Sequence, residues 1–313
     1  MFSYRHAFHA GNHADVLKHT VLIAVLKHLV QKETPLAVFD THAGAGLYRL
    51  DGDYAQTSGE AAEGFVRFAS HYAMSTNRSM AAKAGHDQQI ALSPALQNYL
   101  DLVRSFNAGG ATRIYPGSPF IMQHLLRAGD KLKLFELHPT DAKTLSANIS
   151  QLEAGRQVVM HREDGFEGLK RFLPPPQRRA LVLIDPSYEM KTDYSRVLSL
   201  VADSLARFAM GTYVVWYPVI PRHEAHDLPR RLKTLAVKAG RGWLQATLTV
   251  KSSRILKDGV GNEQRPGLPA SGIFIVNPPH TLKSTLQIAL PQMVESLAQD
   301  KNSSFSIEAG GKS

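Results

Sequence analysis

Short apolar runs rich in Val, Ile, Leu and Phe recur along the chain at LAVFD (36–40), LKLFE (132–136), VVMHR (158–162), LVLID (181–185), TYVVWY (212–217), ATLTV (246–250) and GIFIV (272–276). Each has the length of a buried strand rather than of a helix. Between most of them lie stretches with the apolar spacing of helices, at 141–151, 194–208 and 224–239. Strands that alternate with helices pair in parallel and need cover on both faces, so the pattern predicts a doubly wound α/β domain on a seven-stranded, mainly parallel sheet. An amphipathic helix is expected at 15–30, ahead of the first strand. The interval between the first two runs is far longer than the ~30 residues of a βα unit. We therefore expect a helical insertion at about 52–112, with helical stretches at 60–72 and 94–106 around the polar segment 74–89. The domain is expected to span 1–298, opening with a segment 1–14. The tail 299–313, with its KNSS and GGKS, is predicted to be disordered.

Composition narrows the partners. With 36 Lys+Arg against 27 Asp+Glu, the net charge of +9 favours a polyanion. The absence of cysteine excludes disulfides, thiolate metal sites and a cysteine nucleophile. His9 and His13 have the i, i+4 spacing of helical metal ligands, but Gly11-Asn12 interrupts any helix between them, and no metal is expected. The start, MFSYRHAFHAGNHADVLKH, lacks a leader's apolar core, and no run approaches 18 apolar residues, so we expect a cytoplasmic protein with no membrane partner.

Ligands of open α/β sheets bind beyond the carboxyl ends of the strands. The first strand leads into Asp40-Thr41-His42-Ala43-Gly44-Ala45-Gly46, whose glycines allow a tight turn close to a nucleotide-type cofactor, or simply a turn into a helix. The second ends at Glu136, a carboxylate suited to ribose hydroxyls or a solvated strand end before a helix begun by Pro139. The third leads to Asp164-Gly165, suited to an adenine edge or a turn. The fourth ends in Asp185-Pro186-Ser187-Tyr188. In this order the four resemble the layout of S-adenosylmethionine (SAM) methyltransferases, whose last motif, (Asp/Asn/Ser)-Pro-Pro-(Tyr/Phe), methylates amines. A ring-conjugated amine is a poor nucleophile. The Asp185 carboxylate and Pro186 carbonyl would accept its two N–H groups, and Tyr188 would stack on a base flipped from its helix. A second candidate, Asn277-Pro278-Pro279-His280, follows the seventh strand and is read as a strand-ending turn.

SYRHAFHAGNHADVLKHT, FDTHAGAGLY, YPGSP, ELHP, EDGF, LIDPSYEMKTDY, WYPV and ASGIFIVNPP together resemble the RlmJ family, bacterial methyltransferases of N6 of one adenine in 23S ribosomal RNA. The resemblance covers about 1–279 and weakens beyond 288. It implies a Rossmann-like SAM-dependent methyltransferase fold, SAM as cofactor, and a monomer acting on an RNA hairpin before ribosome assembly is complete. Carried over, His19, His42, Ser118, Glu136, Asp164, Gly165 and Asp185 line the cofactor site. Tyr4, His6 and Lys18 belong to a segment that closes over cofactor and base, around the catalytic Asp185, Pro186 and Tyr188. Each has a plainer reading: Ser118 as a helix N-cap before Pro119, Lys18 and His19 as a solvated helix face, His42 as a cap on the glycine turn, Tyr4 and His6 as a disordered end. The family has Pro where this chain has Ser187, which frees φ and adds an N–H. A basic loop at 252–269, with Arg254, Lys257 and Arg265, is expected to meet phosphates. Two other functions stay open at this point, a DNA adenine-N6 methyltransferase and a non-catalytic nucleic-acid-binding protein that keeps the fold.

Overall fold

Local sequence sets where the first α-helix begins. Asn12 accepts the Asp15 amide at 3.0 Å and so starts helix α1 (His13–Leu29). The computed structural model describes residues 5–73, 91–107, 109, 111–254, 256–257, 263–264 and 267–311. After α1 come strands β1 (Ala37–Asp40) and β2 (Leu47–Arg49), helix α2 (Asp53–Ser58), a π-helical turn (Ala62–Val66), helix α3 (Pro94–Ser105) and strand β3 (Ile114–Pro116). Next are α4 (Ser118–Leu125), β4 (Lys131–Phe135), α5 (Pro139–Ser150), β5 (Val158–His161), α6 (Gly165–Gly168), β6 (Ala180–Ile184) and α7 (Lys191–Arg207). The chain continues as β7 (Thr212–Val219), α8 (His223–Lys238), β8 (Trp243–Thr249), β9 (Leu256–Lys257), β10 (Glu263–Gln264), β11 (Ala270–Val276), α9 (Leu282–Leu297) and β12 (Ser304–Gly310).

The main sheet runs β12-β8-β11-β7-β6-β1-β4-β5, parallel from β7 through β5, with β11 and β12 reversed. Alternation along the strands sends Val38, Leu181, Leu183 and Val214 into a core under α1, α3, α4 and α9. Phe39, Val182, Ile184 and Val215 point the other way, into a core shared with α7 and α8. Each fully buried Val or Leu contributes about 1.5–3 kcal/mol, so the two cores fix the strand ends that carry the polar residues.

The observed fold corrects the expectations at three places. The sheet has eight strands, because the tail predicted to be disordered supplies β12. Residues 304–310 pair antiparallel with 243–249 along the whole of β8. Their polar composition suits an edge strand, whose side chains are mostly exposed while its backbone is paired. Helix α1 is not amphipathic: from His13 to Ile23 every side chain is buried, because α3, α4, α9 and β11 surround it. The insertion is entered and left through an antiparallel ribbon of β2 and β3, Tyr48 opposite Tyr115, and packs α3 on α1. Its segment 74–90 lies outside the described residues.

Candidate active site

The carboxyl ends of β1, β4, β5 and β6 open on a cavity of about 400 Å³, within the range of small-molecule sites. The turn after β1 is held open by glycine: Gly44 and Gly46 have φ of +63° and +82°, and a Cβ at Gly46 would come within 2.8 Å of Phe120. Glu136, half-buried beyond β4, clasps this turn. One carboxylate oxygen accepts Gly44 N at 2.7 Å and the other accepts His138 N at 2.6 Å. Burial raises its pKa while these two amides oppose the rise. Gly165 lets the start of α6 approach the turn, since a Cβ there would lie 2.0 Å from the Thr41 carbonyl oxygen. Asp164 caps α6 by accepting Phe166 N at 2.9 Å and pairs with Arg196 at 2.5 Å, so it serves the turn and also lines the cavity.

Three sequence expectations for this wall change in the structure. Ser118 is not the cap of α4, a place taken by Gly117, and its hydroxyl donates to buried Asp40 at 2.6 Å while facing the cavity. His42 does not cap the glycine turn. The Thr41 hydroxyl donates to Leu183 O at 3.0 Å, so His42 Nδ1 donates to Thr41 at 2.8 Å and Nε2 is left as an acceptor. Burial lowers the His42 pKa to about 4, leaving the ring neutral near pH 7. His19 is buried rather than solvated, its Nδ1 lies 2.9 Å from the Tyr115 hydroxyl, and burial lowers its pKa to about 3.

Asp185 projects from the end of β6 with its side chain 14% exposed, and Lys18 Nζ donates to it at 2.6 Å. That ammonium is buried, not part of a solvated face, and also donates to Asp15 at 2.8 Å. Burial would lower the Lys18 pKa, but Asp15 and Asp185 outweigh it and hold the group charged. His6, in a 3₁₀ turn at His6–Phe8, lines the cavity and meets Asp15 at 3.1 Å. Tyr4 lies outside the described residues.

Tyr188 departs from its expected role. With φ of +53° its ring turns into the core against Tyr194 and Trp216, and its hydroxyl donates to Trp216 O at 2.7 Å. At 3% exposure it has no face open to a base, and Ser187 and Met190 form that part of the wall instead. The second candidate, Asn277, sits at the opposite end of the sheet, because β11 runs against the parallel strands. Its side chain there donates to Ala209 O and Gly211 O. Among the described residues, no group of three or more His, Cys, Asp or Glu is placed to hold a metal, and no helix is long and apolar enough to cross a membrane.

The model of the family described as "Ribosomal RNA large subunit methyltransferase D, RlmJ" matches residues 33–308. The chain belongs to the RlmJ family. It is 41% identical over 291 residues to the Escherichia coli protein named ribosomal RNA large subunit methyltransferase J, covering 93% of this chain and 92% of that one. The Haemophilus influenzae protein of the same name is 37% identical over 309 residues, 98% of each chain. The crystal structure of Legionella pneumophila LPL1258 superposes with a TM-score of 0.79 at 30% identity, covering 97% of this chain and 99% of that one. The family match thus reaches into β12, which the resemblance by motif did not. Sequence reasoning placed Asp40 at a strand end but gave it no partner, and passed over Asp15 and Tyr115. Asp15 follows a good N-cap at helical spacing, which was its only signal.

Proposed function

We propose that this RlmJ-family chain methylates the N6 amine of one adenine in 23S ribosomal RNA, with SAM as donor, acting as a cytoplasmic monomer on a hairpin of free RNA. The observation that carries this reading is the Asp185 carboxylate beside Pro186, held by Lys18 on the same cavity rim as Glu136 and the Gly44 turn. The cavity suits the donor. Glu136 keeps acceptor capacity for ribose hydroxyls, while half-exposed Leu137 and buried Phe166 offer apolar walls for an adenine ring. Buried, neutral His19 has an Nε2 with no hydrogen-bond partner among the described residues, and His42 leaves an acceptor toward the cavity.

SAM, when bound, would supply a methyl group whose bond to sulfur breaks as the bond to N6 forms, the thioether leaving neutral and the nitrogen's surplus proton passing by way of Asp185 to solvent. Asp185 accepts one amine N–H and the Pro186 carbonyl the other, drawing the nitrogen lone pair out of ring conjugation. Lys18 occupies one oxygen of Asp185 and leaves the second for the amine. Alignment of nitrogen and methyl supplies much of the acceleration, which needs no metal. His6, with Tyr4 ahead of it, belongs to the segment that closes over the base and excludes water.

The test is incubation of purified protein with labelled SAM and either unmodified large-subunit RNA or genomic DNA. Label should enter RNA and appear as N6-methyladenosine. Transfer to DNA alone, or to neither, would overturn the proposal.

A further inference from the structure

We infer that Asp15 is the positioning residue that fixes Lys18 against Asp185 and fastens the N-terminal segment to the same point. The kinetic part of this inference rests on the methyltransferase reading above. Asp15 is 1% exposed, in the first turn of α1. Its Oδ1 lies 2.8 Å from Lys18 Nζ and 3.9 Å from His19 Nε2, and its Oδ2 accepts Gly11 N at 2.8 Å and lies 3.1 Å from His6 Nε2. The same Lys18 ammonium reaches Asp185 at 2.6 Å. A carboxylate, an ammonium and the reactive carboxylate thus form one buried chain, and the segment before α1 hangs from its far end.

The arrangement has a physical consequence beyond holding a helix start. A lysine has a flexible four-carbon stem, and a buried ammonium with a single anionic partner is drawn wholly onto it. Asp15 divides the attraction, so Lys18 orients Asp185 while one oxygen of Asp185 stays available to an amine. Burial would raise the Asp15 pKa, but the Lys18 ammonium outweighs it, with His6 adding to the effect, so the carboxylate stays ionised. Gly11, with φ of +80°, makes the turn between His6 and α1, and its amide bonds to the same carboxylate. Loss of the Asp15 charge would therefore loosen both the lysine and the segment. A simple helix-start acid would affect stability and nothing else.

The isosteric Asp15→Asn tests this in two ways. At saturating SAM, single-turnover transfer should fall roughly 100-fold, the scale of breaking a buried ion pair, with SAM affinity changed no more than about 3-fold. In the background of Lys18→Met the same change should cost less than about 3-fold, since the two residues act as a unit. Amide exchange over residues 5–12 of the free protein should speed up about 10-fold. Unchanged rate, unchanged exchange, or losses that multiply in the double variant would overturn the inference. If Asp15→Asn does not fold, Asp15→Glu carries the test. It keeps the charge on an arm one methylene longer, so it should fold, bind SAM and transfer at least about 10-fold slower. Transfer by Asp15→Glu at the wild-type rate would be equally fatal. If the wild type methylates no RNA, the functional reading falls, and the exchange result alone decides the role of Asp15.

Discussion

Asp185, Ser187 and Asp40 show how single residues divide the work of the site. Asp185→Ala removes the proposed amine acceptor but leaves Lys18 paired with Asp15, so transfer should drop roughly 1,000-fold while the melting temperature stays close to that of the parent. Retention of most turnover would remove Asp185 from its role. Ser187 is exposed on the cavity wall, at the place of the second proline of the motif it resembles, and Ser187→Pro should leave the rate equal or higher because the ring pre-sets φ. Asp40 is fully buried within reach of the Asp185 charge. Burial raises its pKa to about 7, with Ser118 opposing and Asp185 adding to the rise. The unfolded chain releases this proton near pH 4 and the folded chain only near 7, so the folded state binds more protons in that window and stability falls as pH climbs through it. Above about 7 the full cost is present. Asp40→Asn should therefore raise the melting temperature at pH 8 more than at pH 5. An equal change at both pH values would show that Asp40 does not change its protonation between them and would overturn the raised value.

At the scale of elements, the segment before α1 is the part whose function is most exposed to test. Deleting residues 1–8 removes His6 from the cavity and one of the groups on Asp15, while Asn12 still caps α1. Turnover should fall by about 10-fold or more, SAM affinity should change much less, and the protein should stay folded. Full activity in the deletion variant would make the segment a passive end. The same elements show what was legible in the sequence. Continuous short apolar runs located the seven expected strands, because burial on both faces leaves little other than Val, Ile, Leu and Phe. The strand ends located Asp40, Glu136, Asp164 and Asp185, since parallel topology brings carboxyl ends together. Partners distant in sequence were not legible. Whether α1 is half or wholly buried depends on α3, α9 and β11 covering it, and β12 is mostly polar because it is held chiefly by its backbone, with Ile307 alone packed toward the core. The inward turn of Tyr188 depends on Trp216 O, contributed by the next strand.

The whole molecule carries a net charge of +9, and topology directs part of it to the reactive edge. β8 runs in the same direction as β7, so its carboxyl end, Lys251 and exposed Arg254 emerge on the same edge of the sheet as Asp185. Lys257 lies on the short β9–β10 ribbon of the same loop, and Arg265 lies outside the described residues. Lys301 precedes β12, which starts beside Thr249 and therefore at this edge too. Cations gathered at one rim attract a phosphate backbone without reading its sequence, and each neutralised phosphate releases bound counterions. RNA binding should therefore weaken steeply with salt, the log of the affinity falling by about 0.7–0.9 per log unit of salt for each phosphate contacted. Arg254→Ala should make that slope shallower by about 1 and weaken cognate and unrelated hairpins alike, while leaving SAM affinity unchanged. Titrations of both hairpins across a salt series would measure this. A flat salt response would place RNA recognition somewhere other than this rim, and a loss confined to the cognate hairpin would assign Arg254 to base reading instead of to the backbone.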